Sequence, residues 1–372
     1  SDVRPHMVVY GAATSISSRV GRTTSPPETP RLVASTLLPS PGELTGMTRL
    51  GFTGDVMLGR LVDEHQRQRA VDAVWGDVLD RLRALDGLFV NLECCLSAGG
   101  APWTKTYRPF HFRADPDWAV PALEAAGVDY VSLANNHVLD YRAAALRDTL
   151  DHLDDAGIAH AGAGENETTA REPAVIEVDG LEVAVVSFTD NTPEYAAAAT
   201  APGTAHVEFD AGSEATRRVV GRAITRARER DPDLLVASLH WGPNMRTEPP
   251  DAFRGFARWL ADAGVDVVHG HSAHVFQGVE VLDGTFVLYD AGDFVDDYAV
   301  DGDLRNDRSF LFEVRVDDGP AELRLLPTEI DDYAVHRARG PAADWSRERM
   351  CDLSSAFGTT FERDGGELVL SL

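Results

Sequence analysis

"VSLANNHVLDYR" (131–142) carries an apolar run straight into two asparagines and a histidine. A short apolar run bounded by polar residues reads as a buried strand, and open α/β sheets hold their ligands at strand carboxyl ends. Three side chains with nitrogen and oxygen donors at such an end mark a candidate site. A structural alternative exists: Asn and His at a strand-to-helix turn also bond free backbone groups, and Asp140 is placed to cap a helix starting near Tyr141. The other strands of the chain decide between these.

Outward from this stretch, apolar strand-like runs alternate with amphipathic helical segments, the pattern of an α/β fold. Strands are expected at 48–53, 87–91, 128–134, 233–241 and 265–271, and helices at 62–85, 116–126, 141–156, 213–230, 250–263 and 343–357. "AVIEVDGLEVAVVSF" (174–188) and "VFQGVEVLDGTFVLYD" (275–290) place Asp-Gly between alternating runs and predict β-hairpins. Residues 309–330 predict a third. Parallel αβ units mixed with antiparallel hairpins imply two packed sheets flanked by helices, with no linker or repeat between 48 and 330.

The 372 residues are 44% hydrophobic, ample for a core, and carry a net charge of −26. Such acidity repels a nucleic-acid backbone or an anionic bilayer, so neither is an expected partner. An anionic substrate would need local help, which metal ions supply by inverting the field inside a site. Cys94, Cys95 and Cys351 make no disulfide framework, two of them being adjacent. With no apolar run of the roughly 18 residues that span a bilayer, the chain is expected to be cytoplasmic and to lack a membrane anchor. Residues 1–46 are rich in Ser, Thr and Pro without periodicity, and "SDVRPHM" (1–7) resembles a cloning scar. The expected organisation is a disordered extension (1–46), a main domain (47–330) and a C-terminal helical extension packed on it (331–372).

Each core-like strand ends in a metal-ligand type of residue: Asp55, Glu93, Asn136 and His137, His240, then His271 and His274. Singly, Asp55 or Glu93 reads as a cap, His240 beside Trp241 as a core histidine, and His269 as strand interior. Buried strands have no structural need for carboxylate and imidazole at one sheet edge, so their recurrence points to a metal centre. Imidazole, carboxylate and amide oxygen together suit Mn, Zn or Fe, one or two ions, rather than an all-oxygen calcium site. No GxxxxGK[ST], GxSxG, HExxH or CxxC motif offers another chemistry.

The ordered set "GDVMLGR", "NLE", "SLANNHVLDY", "LHWG", "GHSAHVFQG" and "LYDAGDFVDDY" resembles the CapA-type poly-γ-glutamate biosynthesis family, a branch of the calcineurin-like metallophosphoesterases, over about 48–330. The resemblance implies a four-layer α/β/β/α sandwich with a dinuclear site at one sheet edge. It implies that Asp55 binds the first metal, that Glu93 bridges both, that Asn136, His240 and His271 hold the second, and that His274 returns to the first. His137 would act on the substrate, with Asp140 orienting its ring. The superfamily's Asp-x-His opening reads "DVM" here, putting Met57 in the histidine's place, so the first metal is expected to be the weaker. Asp293 in "GDF" reads either as a support for the ligands or as a turn residue.

The function expected from this is a metal-dependent hydrolase of metallophosphoesterase type. Its substrate would be small and anionic or γ-glutamyl, and Lys105 and Arg108 in "WTKTYRPFHFR" either bind its anionic group or lie in a solvated loop. The alternatives are a poly-γ-glutamate synthesis or processing protein acting on γ-glutamyl amides, and a non-catalytic metal-binding module.

Overall fold

Thr48–Val56 lies inside a ten-stranded sheet in a computed structural model that describes residues 46–372. The expectations for the N-terminal extension lie outside the described residues. On one side of Thr48–Val56 run Gly87–Leu92, Tyr130–Ser132 and Ala159–Ala161, all parallel. On the other side Arg308–Asp317, Gly319–Asp331, Glu367–Ser371 and Glu362–Asp364 follow antiparallel. A six-stranded sheet has Leu181–Thr189, Leu234–His240, Val267–His271 and Thr285–Leu288 in parallel at its centre. Ala174–Val178 and Val279–Leu282 close its edges as antiparallel hairpin arms.

Side-chain alternation stacks the layers. In Leu181–Thr189, Val183 and Val185 join a core with Leu50, Phe52, Phe89, Phe310 and Phe312 of the larger sheet, so the two sheets pack face to face. Ala184, Val186 and Phe188 point the other way, against Val220 and Ile224 of the helix Glu214–Arg228 and Phe256 and Leu260 of Asp251–Asp262. The outer face of the larger sheet, with Leu88, Val90 and Val131, is covered by Arg60–Gln66, Pro116–Ala126 and Arg142–Ala156. The fold is therefore the expected four-layer α/β/β/α sandwich. Strands buried on both faces explain the near-continuous apolar runs, each full side-chain burial contributing about 1.5–3 kcal/mol.

Local signals act where the sequence placed them. Asp115 caps Pro116–Ala126 by accepting from the Asp117 N–H at 3.1 Å, and Ser213 caps Glu214–Arg228 through the Thr216 N–H at 3.2 Å. Both residues of each Asp-Gly turn have positive φ (Asp179 49°, Gly180 86°; Asp283 50°, Gly284 94°), as a two-residue hairpin of primed type requires.

Two expectations change. The periodic stretch 62–85 is no continuous helix but Arg60–Gln66, a 3₁₀ segment Ala73–Val78 and one turn Leu79–Leu82. Gly76 breaks it at φ 43°, where a Cβ would lie 2.3 Å from the Val335 carbonyl oxygen. The stretch 331–372 is not a purely helical extension. Its helix Pro341–Ser355 puts Met350 and Leu353 into the core between the sheets, and its strands Ala334–Arg337, Glu362–Asp364 and Glu367–Ser371 join the larger sheet. Those strands are three to five residues long and are held by distant partners, so local periodicity does not announce them. Among the described residues no helix is long and apolar enough to cross a membrane, and Cys94, Cys95 and Cys351 are free thiols.

Candidate metal centre

Register brings the candidate residues together. Parallel pairing sets Asp55 beside Asn91 on one side and, through the short strand Asp293–Val295, beside Asp293 on the other. In the smaller sheet His240 and His271 are direct parallel partners. Gly54 permits the first arrangement: a Cβ there would lie 1.7 Å from the Gly292 carbonyl oxygen, so any side chain would push the Asp293 strand away. The carboxyl edges of the two sheets face each other, with His271 Nδ1 4.0 Å from Asp55 Oδ1.

Two donor clusters result, Asp55 with His240 and His271, and Asp55 with His274 and Asp293. His274 Nδ1 lies 3.1 Å from Asp55 Oδ2 and 2.8 Å from Asp293 Oδ1. His240 Nδ1 and His271 Nδ1 face each other at 2.9 Å, and His240 Nε2 lies 2.7 Å from Asn136 Oδ1. Asp55 is thus common to both clusters. Glu93, expected to bridge, stands slightly apart: its Oε1 is 3.7 Å from both His240 Nε2 and His137 Nε2.

The electrostatics fit a cation. Asp55, Glu93 and Asp293 are buried, and Glu93 Oε1 and Asp293 Oδ2 are enclosed without a hydrogen-bond partner. Buried carboxylates without compensation are costly, and a bound ion removes that cost. Burial, then the Asp55 charge, pushes the Glu93 carboxyl well above its ordinary value. Burial also raises Asp55, but the hydrogen bond and charge of His274 outweigh it and hold that carboxyl low. Burial drives His240 down to about 3 and His271 well below its ordinary value, leaving neutral imidazoles able to coordinate. For His274 burial is overcome by the charge and hydrogen bond of Asp293, so its ring is held protonated well above the usual range in the absence of an ion.

Beside the clusters lies the pair His137 and Asp140. Asp140 Oδ2 accepts from His137 Nδ1 at 2.6 Å and from the Phe112 N–H at 2.8 Å, so Nδ1 carries the proton and Nε2 faces Glu93. Asp140 is no helix cap, for Arg142–Ala156 starts at Tyr141 without a side-chain cap. Arg108 and Lys105 belong to the loop that carries Trp103 onto Asp140. Arg108 Nη2 lies 3.4 Å from Glu194 Oε1 and its guanidinium stands 4.8 Å over the Tyr195 ring. Lys105 is exposed with Nζ 4.9 Å over the Trp103 ring, outside both donor clusters.

Asp293, expected as a support for the ligands or a turn residue, joins a donor cluster, and Asn91 joins the site beyond the residues expected of it. Asp293 stands with Asp55 and His274, and the signal for it was its place in "GDF" after an apolar strand. Asn91 Nδ2 donates to Asp55 Oδ1 at 2.7 Å and Glu93 Oε2 at 3.3 Å, while Asn135 Nδ2 donates to Asn91 Oδ1 at 3.1 Å. Alternation hid Asn91, which reads as the last residue of a strand. Met57 is wholly buried in the core beneath the helices, just past a register irregularity between Asp55 and Val56. His269 is strand interior, its Nε2 on the Thr53 carbonyl at 2.7 Å.

Residues 49–298 match the model of the family described as bacterial capsule synthesis protein PGA_cap. A protein of Mycobacterium tuberculosis named probable polyglutamine synthesis accessory protein is 33% identical over 76% of this chain and 77% of its own. The capsule biosynthesis protein CapA of Bacillus anthracis is 30% identical over 76% of this chain and 67% of its own. Among solved structures, a hypothetical protein from Thermus thermophilus aligns with 76% of this chain and 100% of its own at 17% identity and a TM-score of 0.48. The family match spans most of the sandwich and every residue of the two donor clusters, and the chain belongs to the PGA_cap family of bacterial capsule synthesis proteins, the CapA-type family.

Proposed function

We propose that the chain is a metal-dependent hydrolase acting on a small anionic ester of phosphoester type. The observation that carries this reading is the pair of donor clusters sharing Asp55 beside the His137–Asp140 pair. Asp55, His240 and His271, with Asn136, would hold one divalent ion, and Asp55, His274 and Asp293 a second, with Glu93 alongside; Mn, Zn or Fe suits these donors. Such ions supply Lewis-acid charge neutralisation and an acidified water. The protein's own part is proton handling and placement. Asp140 fixes the His137 ring so that Nε2 faces the site, where a protonated imidazole would give its proton to a leaving oxygen. Arg108 at the rim offers a planar cation to an anionic group once it parts from Glu194.

A second reading, hydrolysis or binding of γ-glutamyl amides, is supported by the polyglutamine and capsule roles in the names of the relatives. One experiment separates the readings: elemental analysis and anomalous scattering of the purified protein, followed by turnover of p-nitrophenyl phosphate, bis-p-nitrophenyl phosphate and γ-glutamyl-p-nitroanilide with Mn, Zn or Fe. Phosphoester turnover that needs an ion and disappears in Asp55→Ala is expected. Turnover of the anilide alone favours the second reading, and bound metal without turnover of any substrate makes the chain a binding module.

A further inference from the structure

Asp140 has a third partner, and it comes from the other half of the molecule. Tyr195, 55 residues away in sequence, donates its hydroxyl to Asp140 Oδ1 at 2.9 Å. Both residues are buried, at 1% and 0% exposure, so this hydroxyl has no solvent to exchange with. Burial, then the Asp140 charge, pushes the phenol above its ordinary value, so the proton stays on Tyr195 and the carboxylate only accepts.

The segment holding Tyr195 is built at a conformational cost. Leu181–Thr189 ends, and the chain turns through Thr192 into the 3₁₀ turn Pro193–Tyr195. Thr192 has φ 53° and ψ 68°, a left-handed conformation for a β-branched residue, and it precedes a proline, which disfavours helical backbone. Strain of this kind persists where the surroundings enforce it and clusters at working sites. The surroundings here are specific: Trp103 meets the Tyr195 ring edge-on at 4.7 Å, Arg108 lies over it, and Thr106 Oγ1 donates to Glu194 Oε1 at 2.7 Å. The Trp103 N–H in turn donates to the Asp140 carbonyl at 2.7 Å.

We propose that Tyr195 is a positioning residue for His137. By occupying Asp140 Oδ1 it leaves Oδ2 to the imidazole and fixes the ring that faces the metal centre. A tyrosine that merely filled the core would need neither a strained approach nor a carboxylate partner already hydrogen-bonded to the site histidine. Arg108 on the same ring ties the rim to this chain of contacts, so an anion drawing Arg108 away from Glu194 would act on the residue that holds Asp140. The inference rests on the hydrolase reading for its kinetic consequence but not for its geometry.

The test is Tyr195→Phe in the zinc-loaded protein. The strongly downfield proton resonance of His137 Nδ1–H, assigned by its loss in His137→Gln, should move or broaden, with metal content unchanged. With p-nitrophenyl phosphate, kcat should fall about 10- to 100-fold, the usual effect of removing a partner that orients a site residue, with KM changed less than about twofold. An unchanged resonance, or an unchanged kcat in a protein that turns substrate over, overturns the proposal. If the unmodified protein hydrolyses nothing, the resonance alone decides and the hydrolase reading fails separately. Should Tyr195→Phe not fold, 3-fluorotyrosine at 195 keeps the shape and makes the hydroxyl a stronger donor. The resonance should then shift, and its staying in place again overturns the proposal.

Discussion

Met57→His tests where the first strand aims its side chains. Met57 is fully buried among Val56, Leu58, Val62 and their neighbours under the helices, outside both donor clusters. Removing a fully buried methionine forfeits about 1.5–3 kcal/mol of transfer energy. An imidazole nitrogen left there without a partner adds about 1–3 kcal/mol. The expected loss is about 2.5–6 kcal/mol, a fall in Tm of about 4–9 °C for a domain of this size. Metal affinity should not rise, because Asp293 already stands with Asp55 and His274. Scanning calorimetry of the metal-free proteins and calorimetric titration with Mn and Zn measure the two quantities. A variant that keeps its Tm and binds an additional or tighter ion would show that residue 57 points into the site, and would refute the assignment of Asp293 to that cluster.

His240→Ala and His271→Ala should each lower bound metal and Tm together, a site saturated about 100-fold over its Kd contributing about 2.7 kcal/mol; elemental analysis showing full metal in either variant would remove that residue from the cluster. His137→Ala should retain its metal and lose about 10²- to 10⁴-fold in turnover, the worth of a general acid, and loss of metal would make it a ligand instead. Asp190, at the end of Leu181–Thr189, accepts from the Gly242 N–H at 3.1 Å and is pushed up to about 6 by burial. Its raised folded value means that its contribution is fully present below pH 3.8 and is lost as pH rises through about 6. Asp190→Asn should therefore gain about 2–3 kcal/mol on the unmodified protein between about pH 4 and pH 7 and level off above. Denaturant midpoints showing no pH dependence of that difference would rule out a buried, raised carboxyl at 190.

Outside 62–85 and 331–372, most element types, the central strands of both sheets and most of the residues at the meeting edge were legible in the chain itself, because these are local properties. Apolar runs, Asp-Gly turns and caps act over a few residues, and a donor directly after a buried strand is placed at the sheet edge by that strand alone. Asp55, Asn136, His137, His240, His271 and His274 could be read for this reason. Register and distant partners settled the rest. Asp293 became the neighbour of Asp55 because Gly54 lets a three-residue strand pair there, and Asn91 met Asp55 and Glu93 through parallel register. Met57 follows the end of the strand into the core, beyond a register irregularity that no periodicity reveals. Tyr195 reached Asp140 across 55 residues because the two sheets pack face to face, bringing the turn after Leu181–Thr189 over the end of Tyr130–Ser132. Local chemistry can name the groups that a sheet edge will carry; which of them touch is fixed by packing between segments that the sequence holds far apart.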